Sequence, residues 1–233
     1  MARDTLTRDR IVQTAVELLD AEGLEGLNMR ALGKRLDSAA TAMYWHVKSK
    51  DNLVLLATDR VWGELALPDP AAVGWRAAAA AMAADLFGMF TRHPWLVPAF
   101  AAHVVYGEGK ARHDDHHLAV YEAAGFTGAQ ADQAAAAVFT YVLGNAAGAA
   151  ASASHARRLS RDGAKAEAQL NDAMTKAQEI AMNYPHLRAR LDTAAAADYA
   201  AAPAETFEFG LQALLDGLER NVTNCGSGLD GSR

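Results

Sequence analysis

The stretch NMRALGKRLDSAATAMYWHVKSK, residues 28–50, decides the reading of this chain. Asn28 is a strong N-cap residue, and Leu32 and Leu36 follow at helical spacing, which predicts a short helix to about Leu36. Asp37 takes the turn, since Asn and Asp tolerate left-handed backbone. A second short helix follows over about 39–46, with Ala42 and Met43 facing inward. It ends in Tyr44, Trp45 and His46, two large aromatics and a histidine that packing alone explains poorly. Five basic residues (Arg30, Lys34, Arg35, Lys48 and Lys50) stand here against one acid, Asp37. That pattern suits a surface laid in a DNA groove. A solvated basic helix face is the plain alternative.

Working outward, Thr7 caps a first helix over about 8–22, with Ile11, Ala15, Leu18 and Leu19 at helical spacing and Gly23 as its stop. Ser49 caps a long helix from Lys50 to about Leu67, ended by Pro68 and Pro70. Helices are then expected over 74–91, 94–107, 110–124, 128–155, 163–182, 185–200 and 204–221, separated at prolines and glycines. No stretch alternates with β-branched residues, so no sheet is expected and the fold class is all-α. The segment 157–202 is charged, Ala-rich and poor in large apolar groups, which predicts loop or mobile helix. Residues 224–233 read as a disordered tail.

The remaining composition bounds the function. The N-terminus carries charge but no apolar run, so no signal peptide is expected. The single cysteine, Cys225, excludes an intrachain disulfide and a Cys-rich metal site. A cytoplasmic protein is the expectation. Ala134–His155 has no formal charge and reaches membrane-spanning length. Its Ala, Gly, Ser and Asn content predicts a closely packed helix with no membrane partner. The net charge of −6 is unevenly placed. Residues 1–50 hold eight Lys/Arg against seven Asp/Glu, and the rest holds fourteen against twenty-one. An acidic body does not veto a basic patch, because phosphate responds to the local field.

The chemistry of residues 28–50 follows from reach. Ala39, Ala40 and Ala42 let the helix approach DNA closely, while Thr41, Tyr44 and His46 present donors to phosphates or base edges. Arg30 offers two donors to a guanine. Lys48 and Lys50 sit at a helix N-terminus that already favours phosphate. Trp45 has two readings, a DNA contact or a wedge between this helix and the first.

Residues 8–60 resemble the DNA-binding domain of TetR-family repressors. The string Tyr44-Trp45-His46-Val47-Lys48, followed by Ser49 and Lys50, is similar to the tetracycline-repressor subgroup in particular. So are Ala137–Gly144 and Phe207–Glu219, which match that subgroup's two dimer-forming helices. The resemblance implies a helix-turn-helix DNA-binding domain over 1–50, a connecting helix over 51–67 and an effector-binding and dimerisation domain over 68–223. It implies a homodimer, joined through helices near 128–155 and 204–221, that binds a palindromic double-stranded operator and is released by a small molecule. The base-reading positions correspond to Ala40, Thr41, Ala42 and Tyr44. Ala40 stands for a longer amide and Thr41 for a proline, so a different operator is expected.

The resemblance also locates an effector site. Gly148, Ala66 and Met82 occupy positions where the subgroup places drug-recognition side chains, so tetracycline is not the expected inducer. The candidate cavity is lined by Met82, Leu86, Met89, Phe90, His103, His117, Tyr121, Phe139 and Asn145, with His117 as the principal polar group. Apolar walls with few polar groups suit a flat, hydrophobic, oxygenated compound. Ordinary core packing is the alternative for each apolar member. In Arg112–His117, His113 and His117 share a helix face at zinc-compatible spacing, but no third ligand is evident. No metal or cofactor is expected. A helical metal enzyme or a non-DNA interaction module using this cluster is the rival reading. Against an enzyme, the chain has no His-Glu-x-x-His, no Gly-rich phosphate loop and no nucleophile motif.

Overall fold

The computed structural model describes residues 6–191 and 203–227, and every regular element among them is helical. The first four helices are α1 (Arg8–Gly26), α2 (Met29–Leu36), α3 (Ala40–Val47) and α4 (Lys50–Trp62). Each of α1, α2 and α4 begins on the residue whose side chain satisfies an orphan amide. Thr7 accepts from the Arg10 amide at 3.2 Å, Asn28 from Ala31 at 2.8 Å and Ser49 from Asn52 at 3.0 Å. Gly23, at φ 72°, interrupts α1 where the sequence predicted its end. Asp37 adopts φ 47°, ψ 46°, the left-handed turn that joins α2 to α3.

These helices close on one apolar cluster. Ile11, Leu18 and Leu19 of α1, Leu32 of α2, Met43 and Val47 of α3, and Leu53 and Ala57 of α4 are all buried. Each such aliphatic contributes roughly 1.5–3 kcal/mol by leaving water. Ala42, expected inside, is only half-buried, and the inner face of α3 rests on Met43 and Val47.

The body consists of α5 (Pro70–Val73), α6 (Trp75–Arg92), α7 (Leu96–Ala102), α8 (Glu108–Ala123), α9 (Ala129–Asp162), α10 (Ala164–Ala181), α11 (Pro185–Leu191) and α12 (Pro203–Ser227). Helix α6 packs mainly on α9, with α8 and α12 completing the layer. Phe87 and Phe207 stack at 4.2 Å between ring centres, joining α6 to α12. The Tyr141 hydroxyl donates to the Phe207 carbonyl at 2.8 Å, which requires Gly210: a Cβ there would lie 2.1 Å from that hydroxyl.

Several boundaries differ from expectation. Helix α4 stops at Trp62, short of Leu67, because other partners take the backbone beyond it. Arg112 takes the Gly63 carbonyl at 2.8 Å, and Asp85 takes the Ala66 amide at 2.9 Å. Helix α7 covers only the middle of 94–107, and α5 was not anticipated. The segment from 157 to 191, expected as loop or mobile helix, is helical: α9 continues to Asp162, and α10 and α11 follow. The remainder of that segment, 192–202, lies outside the described residues. Residues 224–227, read as tail, continue α12, and 228–233 also lie outside.

The uncharged run forms part of α9, where Ala129–Arg157 has the length and apolarity to cross a membrane. Within one chain the helix is packed on one face only. Val138, Val142, Ala146 and Ala150 are buried, whereas Ala136, Thr140, Gly144 and Gly148 are exposed.

Candidate nucleic-acid interface and effector cavity

The reading head presents its expected residues to solvent. Trp45 is 90% exposed and Tyr44 is half exposed, while Thr41, His46, Lys48 and Arg30 are exposed as well. Exposure on this scale removes the wedge reading of Trp45: nothing between α3 and α1 holds its ring. The side chain of Ala40 lies outside the described residues, although its backbone opens α3. Beside α3, Met29, Arg30, Gly33, Lys34, Asp37, Ser38 and Ala39 line a groove of about 490 Å³. Its two cations and the exposed face of α3 therefore form one surface. Lys50 is tied differently from expectation, since its ammonium donates to the Leu24 carbonyl at 3.0 Å. Its charge remains exposed at the start of α4, but the side chain also holds α4 to the loop after α1.

The head is fastened to the body by two carboxylates. Asp20 of α1 accepts from both His93 Nδ1 and Trp95 Nε1 at 2.7 Å, at the junction of α6 and α7. Asp59 of α4 accepts from the backbone amides of Gly109 and Lys110 at 2.8 and 3.2 Å. It thus caps the amino end of α8 from another helix, where the dipole also favours its charge. Two glycines make room for this cap. A Cβ at Gly107 would lie 2.1 Å from the Asp59 carboxyl carbon, and one at Gly109 would lie 2.5 Å from the Asp59 carbonyl oxygen. The next residue of α4, Arg60, pairs with Asp9 of α1.

Inside the body, aromatic rings touch in sequence. Phe90 meets Phe100 at 5.7 Å; Phe100 and Phe139 lie 5.8 Å apart; Trp62 reaches Phe100 at 5.9 Å and Phe139 at 6.3 Å. Trp62 then meets His113 at 4.9 Å, His113 meets His117 at 5.6 Å, and His117 meets Tyr121 at 5.1 Å. Of the expected cavity residues, Phe90, His117, Tyr121 and Phe139 therefore belong to one row. Met82, Leu86 and Met89 are buried in the same core. His103 is half-buried at the end of α7, and Asn145 turns back to donate to the Tyr141 carbonyl at 2.8 Å, so both stand outside the row. Trp62, Phe100 and His113 were not assigned to the cavity from sequence. The spacing of His113 four residues before His117 was a usable signal; Trp62 and Phe100 carried none, because only the packing of α4 on α8 and of α7 on α9 brings them in.

Burial sets the charge state of this row. The His117 imidazole is pushed down to about 4 by burial and by the neighbouring His113, against the pull of Asp114, so it is neutral near pH 7. Burial also pushes the Tyr121 phenol above its usual value. Lys110, paired with Asp114, places its ammonium 5.2 Å from the Trp62 ring centre and 6.0 Å from that of Phe139. As a metal site the cluster is poor: among the described residues no three His, Cys, Asp or Glu side chains converge. The third position beside His113 and His117 is taken by rings.

Known families resemble both parts of this chain. Residues 67–222 match the family described as Tetracyclin repressor-like, C-terminal domain, and residues 11–57 match Bacterial regulatory proteins, tetR family. The HTH-type transcriptional repressor DrrR1 of Streptomyces coeruleorubidus is 32% identical over 221 residues, covering 93% of this chain and 78% of that protein. An HTH-type transcriptional regulator of Saccharopolyspora erythraea is 40% identical over 140 residues, and the match spans 60% of this chain and 59% of that protein. Among solved structures, ActR of Streptomyces coelicolor in complex with actinorhodin superposes with a TM-score of 0.66 at 25% identity, covering 94% of this chain and 99% of that one.

Proposed function

The chain belongs to the TetR family of bacterial regulatory proteins, effector-regulated DNA-binding repressors, and we propose that it acts as a cytoplasmic homodimer on a palindromic operator. We divide it into a DNA-binding domain (1–50), a connecting helix (51–67) and an effector-binding and dimerisation domain (68–223). Arg30, Ala40, Thr41, Tyr44, Trp45, His46, Lys48 and Lys50 form the DNA contact set. The observation that carries this reading is Trp45: an indole 90% exposed beside a basic groove is otherwise a liability on a monomer surface. The metal-enzyme and interaction-module readings of residues 112–117 lose their support, since two of the three histidines there are buried among rings.

Dimerisation through α9 and α12 is supported by glycines that the single chain does not need. Gly144, Gly148 and Gly217 have nothing within 4 Å of where a Cβ would stand. On an exposed helix face glycine costs about 1 kcal/mol relative to alanine, so close approach by another backbone explains them. Phe209, 80% exposed on α12, supplies an apolar anchor. In such a dimer the two α3 helices must stand roughly 34–36 Å apart to enter successive major grooves.

Release by a small hydrophobic effector, and one other than tetracycline, is supported by the aromatic row and by what surrounds it. Met82 is buried among apolar groups and Gly148 faces outward, so neither position offers a polar drug contact. ActR, similar over nearly the whole chain, is seen with actinorhodin, which supports a small-molecule effector here. The test is a mobility-shift titration on the DNA upstream of the chain's own coding sequence. A specific shift is expected, and binding no tighter than to unrelated DNA of equal length overturns the reading.

A further inference from the structure

Helix α9 outruns the core it helps to build. Its 34 residues span about 51 Å at 1.5 Å per residue. Ala146 is its last member of the apolar core, and the helix runs on from there to Asp162 for roughly 24 Å. Beyond Ala150 none of its described side chains is fully buried. What this overhang meets is the reading head. Ala156, Arg157 and Ser160 face Ala21 and Glu22 of α1 across a groove of about 380 Å³. The Arg157 guanidinium lies broadside on Gly23, with its Nη2, Nε and Cζ atoms 3.3, 3.4 and 3.5 Å from where a Cβ would stand. Gly23, at φ 72°, holds a backbone that favours glycine and leaves its face bare for a planar group.

This contact falls where the head is braced. Leu24, the next residue, offers its carbonyl to Lys50 at the amino end of α4, and Glu22 pairs with Arg35 of α2 at 3.4 Å. Asp20, one turn back, holds His93 and Trp95. The carboxyl end of α1 is thus gripped by two parts of the body, the α6–α7 junction and the end of α9. Farther back, α9 carries Gly144 and Gly148 on the open face assigned above to the dimer. One continuous helix, which bends only gently over such a length, therefore runs from that face to the head. Resting on the dimeric repressor reading, we propose that the end of α9 is a spacing strut and Arg157 a positioning residue. Packed on Gly23, it fixes how far each reading head stands from the dimer axis, and so which half-site separation the protein accepts. One base pair moves a half-site by about 3.4 Å and turns it by about 35°. A head held by α9 rejects that displacement, whereas a head released from it yields.

The full chain is tested on two DNAs, the operator footprinted upstream of its own coding sequence and the same duplex with one base pair inserted at its centre. The wild type is expected to bind the inserted form at least tenfold more weakly. Arg157→Ala is expected to cut that ratio at least threefold, with helicity and thermal midpoint unchanged. Arg157→Lys, which keeps the charge but not the plane, is expected to cut it as well, and it decides alone if the alanine variant melts early. A ratio left at the wild-type value overturns the proposal, and so does a wild type indifferent to the insertion. Equal weakening on both DNAs, with a shallower salt dependence, would make Arg157 a phosphate contact and overturns it too. Absence of specific binding by the wild type overturns the repressor reading itself, whereas specific binding with an unchanged ratio overturns only the strut.

Discussion

The carboxylate of Asp59, on α4, caps α8 through the backbone amide of Gly109 at 2.8 Å. This cap places the helix that bears His113, His117 and Tyr121 in direct contact with the helix that carries the reading head. Arg60, the next residue, extends the tie to Asp9 of α1. A displacement of α8 is therefore passed to α4 without an intervening loop. An effector shifts such an equilibrium only by its differential affinity for the two positions of α8.

Asp59→Ala removes the acceptor and leaves two α8 amides without it. It is expected to cost about 1 kcal/mol of stability, typical of a lost N-cap. Operator affinity should stay within about twofold while the effector concentration for half release rises at least fivefold. Urea unfolding and effector titration of the bound operator check this. Normal release by the variant would remove Asp59 from the path.

In the head, Trp45→Ala should change stability by less than about 0.5 kcal/mol, because the side chain is exposed. It should still weaken operator binding. Arg30→Ala should weaken it by about 1–3 kcal/mol if the guanidinium reads a base, and Tyr44→Phe should weaken it by less. Mobility shifts beside thermal unfolding separate the two effects. Unchanged operator affinity in all three variants would displace the contact surface from α3.

How much of this was legible in the sequence depends on the range of the forces involved. Caps and turns act within four residues, so Thr7, Asn28, Asp37 and Ser49 announced their elements. The outward face of Tyr44 followed from helical periodicity, whereas Trp45, with two readings open in the sequence, was settled only by its 90% exposure. What sequence could not carry was competition between distant groups. Helix α4 stops at Trp62 because Arg112 and Asp85, far along the chain, claim the backbone beyond it. Trp62 and Phe100 join the row of rings only because α4 packs on α8 and α7 on α9. Residues 157–191, expected as loop or mobile helix, are helical because alanine and charged residues are strong helix formers even where large apolar groups are scarce.

Salt dependence tests the backbone-anchoring role of the basic residues around α3. Lys48, Lys34 and Arg30 are exposed and free to meet phosphates. The log of the binding constant should fall against the log of salt with a slope near −0.9 for each phosphate contacted. Lys48→Ala should reduce that slope by about two, one for each subunit of the dimer, and weaken binding to every sequence alike. A slope unchanged by the substitution would assign Lys48 no phosphate.

The dimer face predicts a graded failure. Gly148→Glu places a charged side chain on the open side of α9, away from the chain's own core. The monomer should fold with unchanged helicity, but sedimentation should show dissociation at micromolar concentration. Operator affinity should fall with it, since one head reads only half of a palindrome. A dimeric variant with full affinity would put the interface elsewhere.

The buried imidazole makes stability depend on pH in a defined sense. His117 is held near 4 when folded against an ordinary value of 6.5, so the unfolded chain binds its proton first. Folding stability from this group is complete above pH 6.5 and is withdrawn as pH falls toward 4. The gap of between two and three pH units corresponds to about 3–4 kcal/mol, at 1.36 kcal/mol per unit. His117→Gln carries no titratable group, so it should lose less stability than the wild type between pH 7.5 and pH 4.5. Urea midpoints for both proteins at the two pH values isolate the difference, because every other titrating group is shared. Equal losses would mean that the imidazole takes up its proton in the folded state.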